Sequence, residues 1–212
     1  EGEEETPNYI DWIISETPEN GTVAVNALAT SNANWELLTE KLTAKNRKLV
    51  DLPLLKEIWT DRNPNAKKNP VFVHPIERAG RSVTDKFSDI RNKMEEIGAT
   101  AHIISSLDDV AWTLNLRGSD VQANPVFLGY IILTKNNAGL FVDLEKLDHD
   151  ARKQMDDSFV KMRPYEEFFP ALDRMKDEKI LISPNSNQSI FEHLKGSNTF
   201  IKAPVPGNLM KA

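Results

Sequence analysis

The chain has 212 residues, no cysteine and a formal net charge of −6, so disulfides, thiolate metal sites and cysteine nucleophiles are excluded and a nucleic-acid footprint is disfavoured. A hydrophobic share of 40% and a charged share of 27% fit one large or two small globular domains, and the lack of thiols fits a reducing compartment. No apolar run approaches the ~18 residues of a membrane span, and the start lacks the basic and apolar sections of a signal peptide.

Residues 1–40 hold nine carboxylates and no Lys or Arg, which reads as a solvated acidic end. The first residue is Glu1 rather than Met, as expected of a piece trimmed or cut from something longer. Tyr9 to Ile14 make a short apolar helix stopped near Pro18. Asn20-Gly21 turns the chain and Thr22–Val25 is a strand. Trp35, Leu38 and Leu42 recur at helical spacing, and Leu49-Val50 is a further strand. These pieces are too few to close a sheet around their own core. Residues 61–70, with two prolines, three asparagines and no apolar residue larger than Ala, read as a linker.

The pattern then strengthens. Ser82 with Asp85 forms a capping-box signal, and Val83, Phe87, Ile90, Met94 and Ile97 make one helical stripe ended by Gly98. Ala101–Ile104 reads as a buried strand. Ser106 with Asp109 repeats the capping signal before a helix carrying Leu107, Val110, Ala111 and Leu114, which Gly118 is placed to end. Val126 to Leu133 reads as a strand covered on both faces. Lys135-Asn136-Asn137 then turns the chain back into Leu140-Phe141-Val142 as a hairpin. There follow a charged helix over 145–156, a strand over 159–162, a helix over 165–176, a strand over 179–182, a helix over 188–195 and a strand over 199–202. A hairpin inside a β/α alternation implies an α/β fold with a mixed sheet flanked by helices.

Chemistry is sparse. His74, His102, His149 and His193 show no metal-ligand spacing. His102 reads as a satisfied sheet histidine, and His149 and His193 as solvated. The pairs Asp108-Asp109 and Asp156-Asp157 point apart on a helix rather than converge, and Asp108 and Asp109 suit a helix N-terminus. Ser119-Asp120 has no nearby histidine for a triad, and no glycine-rich phosphate loop is present. No catalytic, metal or cofactor residue is therefore expected in the chain. The stretch from Leu107 to Phe127 nevertheless concentrates a cap, an arginine, an aspartate and an Asn124-Pro125 turn between two buried elements. Arg117, Asp120, Asn124 and Pro125 are its candidate structural or interface residues. Arg117 and Asp120 either brace the crossover, working as a pair, or meet another surface.

That stretch also carries a resemblance. Leu107-Asp108-Asp109-Val110-Ala111-Trp112, Leu114-Asn115-Leu116-Arg117-Gly118-Ser119-Asp120-Val121 and Asn124-Pro125-Val126-Phe127 resemble the second domain of cytosolic three-domain Xaa-Pro aminopeptidases of the creatinase/prolidase superfamily. Ile58-Trp59-Thr60-Asp61-Arg62 and Ala79-Gly80-Arg81-Ser82-Val83 add to it. The resemblance implies a creatinase N-terminal-like (ribonuclease H-like) α/β fold, preceded by a partial lobe of the same type. Residues 1–62 would be the end of the first N-terminal domain, 63–70 a linker and 71–212 the second domain.

It further implies a parent enzyme that releases the N-terminal residue from peptides with proline second. That enzyme would use two divalent metal ions, usually manganese, in a catalytic domain that this chain lacks. This portion would shape access to the site. Its partners would be the catalytic domain of the same polypeptide and a second subunit in a homodimer, with peptide bound only alongside the catalytic domain, in the cytoplasm, with neither nucleic acid nor membrane. Two alternatives stay open: a free-standing interaction module with this fold, and an unrelated small-molecule-binding α/β domain.

Overall fold

The computed structural model describes residues 6–61, 69–203 and 206. The chain falls into two compact units, residues 1–62 with 187–192, and residues 63–186 with 193–212. Of the expected linker 63–70, residues 63–68 lie outside the described residues.

The first unit opens with helix α1 (Tyr9–Glu16), where Asn8 accepts hydrogen bonds from the N–H groups of Ile10 and Asp11 and so caps two orphan donors. Strand β1 (Thr22–Val25), helix α2 (Asn32–Thr43), strand β2 (Lys48–Asp51) and the single turn α3 (Leu55–Ile58) follow. β1 and β2 pair in parallel, Thr22 opposite Lys48. Leu38 and Leu42, one turn apart on α2, are buried, whereas Val50 on β2 and Leu52 just after it stay exposed. The 187–192 segment is tied into this unit by Gln188 N–H to Thr30 O (2.8 Å), Ser189 N–H to Ala27 O (3.2 Å) and Asn32 Nδ2 to Gln188 Oε1 (2.8 Å).

In the second unit come β3 (Phe72–Val73), α4 (Ile76–Ala79), α5 (Val83–Glu96), β4 (Ala101–Ile104), α6 (Leu107–Leu114) and β5 (Leu116–Arg117). The hairpin strands β6 (Gly129–Thr134) and β7 (Ala138–Val142) follow, then α7 (His149–Asp157), β8 (Val160–Pro164), α8 (Phe168–Asp173), β9 (Lys179–Ile182) and, after α9 (Gln188–Leu194), most of which belongs to the first unit, β10 (Thr199–Lys202). Six strands form one sheet in the order β10-β9-β4-β6-β7-β8. β10–β9, β9–β4 and β7–β8 are parallel, while β4–β6 and β6–β7 are antiparallel. The mixed sheet flanked by helices is thus present as expected.

Period-2 alternation divides the core. Ile104, Ile131, Leu133, Leu140 and Leu181 join Phe87, Ile90 and Met94 of α5, Val110 and Leu114 of α6, and Met155 of α7 in one apolar cluster. Each fully buried large side chain there contributes about 1.5–3 kcal/mol. The opposite face stacks rings instead, with Tyr130 and Phe168 3.9 Å apart between centroids.

Several expectations are corrected. β6 begins at Gly129 rather than Val126 and alternates buried with half-buried residues, so it is not equally covered on both faces. The charged helix over 145–156 divides into a 3-10 turn (Leu144–Lys146) and α7, broken where Asp148 caps Ala151 N–H. The helix over 165–176 likewise divides into a 3-10 turn (Tyr165–Glu167) and the shorter α8. β8 starts one residue late because Phe159 takes a left-handed φ of 57°. Ile97 is exposed, being the C-cap of α5 rather than part of its buried stripe.

Candidate functional site

The two capping signals give different structures. Ser82 Oγ accepts from Asp85 N–H at 3.1 Å and donates to Asp85 Oδ2 at 2.7 Å. Ser106 has the extended backbone of an N-cap but makes no side-chain cap bond. Its hydroxyl donates instead to the carboxylate of Asp109, which is buried in the first turn of α6.

The other end of α6 is where the 107–127 segment is organised. Gly118 does not end the helix. Asn115 does, with φ 50° and ψ 41°, the left-handed conformation that asparagine tolerates. The orphan carbonyls then collect donors from several elements. Lys86 Nζ, on α5, donates to Trp112 O (2.7 Å) and Asn115 Oδ1 (2.5 Å) and lies 4.2 Å from the centroid of the Trp112 ring. Arg117 Nη1 donates to Ala111 O (3.0 Å) and Leu116 O (2.8 Å). Gln154 Nε2 donates to Leu114 O (2.7 Å), and His74 N–H to Asn115 O (2.7 Å). Two cations therefore sit at the negative end of the α6 dipole. Burial, with the Arg117 and Arg81 guanidinium groups, holds the Lys86 ammonium down at about 8.

Beyond β5 the loop is set by close approach. A Cβ on Gly118 would lie 2.7 Å from Phe127 Cβ and 3.2 Å from Val126 O, so only glycine fits. Asp120 does not pair with Arg117. One of its oxygens accepts from Leu128 N–H at 2.8 Å, and the other takes Lys146 Nζ in an ion pair. Both side chains of that pair are nearly closed to solvent, at 2% and 6% exposure. Asn124 closes a tight turn through its N–H to Val121 O (3.2 Å), with Ala123 at φ 59°. Pro125 O accepts from Gly118 N–H at 3.4 Å. Val121 to Pro125 form an exposed tip on this frame.

Lys86 and Lys146 were not among the sequence candidates. Lys86 carried a signal, because it falls between Val83 and Ile90 on the buried stripe of α5. Lys146 carried none.

The histidines are otherwise engaged. His102 is buried, its Nδ1 2.9 Å from Leu181 O while Nε2 has no hydrogen-bond partner, so the expected satisfaction is only half met. Burial pushes its pKa to about 4, against the raising effects of the Leu181 bond and Asp109, and the ring is neutral at pH 7. His193 is not merely solvated, since Nδ1 meets Asp173 Oδ1 at 2.7 Å and the ring lies against Phe169. His149 is solvent-exposed beside Asp150. Among the described residues no group of three or more His, Asp or Glu is placed to hold a metal ion, and no helix is long and apolar enough to cross a membrane. The arrangement can position a polar loop rigidly.

Comparison with known proteins gives this frame a family. Residues 62–212 match the creatinase/prolidase N-terminal domain model. The "probable Xaa-Pro aminopeptidase P" of Arthroderma gypseum is 34% identical over 187 residues, covering 87% of this chain and 29% of that protein. Aminopeptidase P2 of Arabidopsis thaliana is 31% identical over 185 residues, 85% of this chain and 26% of its own. The chain thus spans less than a third of the length of these relatives. Among solved structures, the X-prolyl aminopeptidase of Caenorhabditis elegans, a cytosolic enzyme with a di-nuclear active site, superposes with a TM-score of 0.87 at 25% identity, over 97% of this chain and 35% of that one. The chain belongs to the creatinase/prolidase N-terminal domain family.

Proposed function

We propose that the chain is the non-catalytic N-terminal portion of an Xaa-Pro aminopeptidase, borders the active site and limits what reaches it. The observation that carries this reading is the superposition on about a third of an X-prolyl aminopeptidase over nearly the whole of this chain. The family match over 62–212 supports it. In this reading residues 1–62 are the end of a first creatinase-type domain and 71–212 are a second. A catalytic portion of the same polypeptide holds two divalent cations, manganese by expectation, and works in the cytoplasm, with a homodimer as the assembled form. The 121–125 tip, clamped by Asp120 and Lys146, is the surface this chain turns toward that portion.

The metals would activate water and polarise the scissile carbonyl, and this chain's contribution is shape. The reading is tested by assaying the pure chain on an Xaa-Pro dipeptide with manganese, beside the polypeptide extended through the catalytic portion. The extended form turns over and the 212-residue chain does not. Metal-dependent turnover by the chain alone, or an extended form indifferent to deletion of residues 121–125, would overturn it.

A further inference from the structure

The ring-bearing face of the six-stranded sheet is incompletely covered. Ile132, Gly139 and Lys161 lie side by side in register across β6, β7 and β8, and Phe141 and Arg163, two residues further along, share that face. α8 covers the Phe141 end, where the Phe168 ring meets Phe141 edge-on at 5.4 Å. Beside it a groove of about 340 Å³ remains, with Ile132, Gly139 and Phe141 in its lining and Ala171 and Met175 as a wall. That volume falls in the range of small-molecule sites.

Gly139 keeps the groove open. Its φ is not positive, and a Cβ there would stand 3.5 Å from Phe141 Cε2, an ordinary contact. Neither backbone nor packing therefore demands glycine in the middle of this strand, where it weakens the sheet and marks a place for close approach. The rim is cationic, formed by Lys161, Arg163 and Arg174. Arg163 meets Glu167 at 3.4 Å, but Lys161 and Arg174 have no ion pair or side-chain hydrogen bond among the described residues. Glu178, which also lines the groove, takes the Thr100 hydroxyl. Solvated surface cations are common, but these two line one groove beside Ile132, Gly139 and Phe141, with Thr134 and Asn137 also in its lining, in a chain of net charge −6.

We propose that this groove binds a small aromatic carboxylate, its ring over Gly139 and its carboxylate between Lys161 and Arg174. The site rests on this chain's own residues and is independent of the peptidase reading. It is tested by titrating 1-naphthoate into the isotope-labelled chain and following amide shifts by NMR. Saturable shifts are expected in 132–141, 161–163 and 171–175, with a dissociation constant of about 1 mM or tighter. The neutral analogue 1-naphthalenemethanol binds about tenfold more weakly, as does naphthoate to the Lys161→Ala/Arg174→Ala variant, because the charge-assisted bonds are lost. Both substitutions are at exposed positions and leave the fold intact, whereas Gly139→Val fills the floor and removes binding. Equal affinity for the neutral analogue, unchanged affinity in the double variant, or no saturation by about 10 mM would each overturn the proposal.

Discussion

Lys86 and Lys146 are both buried, yet they are held in opposite ways. Lys146 faces the Asp120 carboxylate. Lys86 has two neutral oxygens and an indole ring, with the guanidinium groups of Arg117 and Arg81 near enough to lower its pKa. The first is an ion pair, in which each charge cancels the cost of the other. The second is a charge accommodated by the end of a helix dipole, whose carbonyls need donors whether or not the donor is charged. A buried cation thus needs acceptors first and a counter-ion only second, and the two sites should respond differently to substitution.

The largest effect is expected at the ion pair. Asp120→Ala leaves Lys146 buried without its counter-charge and Leu128 N–H without its acceptor, at a cost of about 3–5 kcal/mol, read from the urea midpoint. Asp120→Asn keeps an acceptor for Leu128 and should lose less. If Asp120→Ala melts like the parent, the pair is not the clamp of the loop. Arg117→Ala comes next. It removes two charge-assisted bonds to the end of α6, about 1.5–3 kcal/mol, and relieves repulsion on Lys86, whose pKa should rise from about 8. Titration of the Lys86 Nζ signal by NMR checks this, and an unmoved midpoint would mean that Arg117 does not touch the charge of Lys86.

The smallest change at neutral pH is expected for Lys86→Met. Loss of two hydrogen bonds is offset by relief of a desolvated charge, leaving a net effect within about 1 kcal/mol. The difference appears with pH. In the folded chain Lys86 is held at about 8 against an ordinary 10.5, so between those values the unfolded chain binds more protons and stability rises with pH. The parent should therefore gain stability relative to Lys86→Met from pH 8 to 10.5. Parallel curves across that window would show that Lys86 is not depressed.

Much of the fold was legible because it is written in local pattern. The bounds of β1, β4, β9 and β10 coincide with those expected, as does the hairpin turn at 135–137. Period-2 runs flanked by turn residues leave few alternatives. The misreadings came where one signal has two physical uses. Ser-x-x-Asp suits a cap at Ser82 but only a hydroxyl–carboxylate bond, with no cap, at Ser106. A glycine after a helix suits a left-handed stop, yet Gly118 serves the approach of Phe127 while Asn115 takes the stop. In the candidate site, Arg117, Asp120, Asn124 and Pro125 were visible as an unusual concentration of polar and turn residues, but their partners were not.

What the sequence determined by itself is the set of elements, the mixed α/β class and the family resemblance, because propensity, capping and alternation act over a few neighbouring residues. Only the tertiary structure decided that Asp120 meets Lys146 twenty-six positions away, and that Lys86 reaches across from α5 to Trp112 and Asn115. Those pairings depend on which helix end and which loop the sheet order brings together. A long-range contact between two polar side chains leaves no periodic trace in either segment.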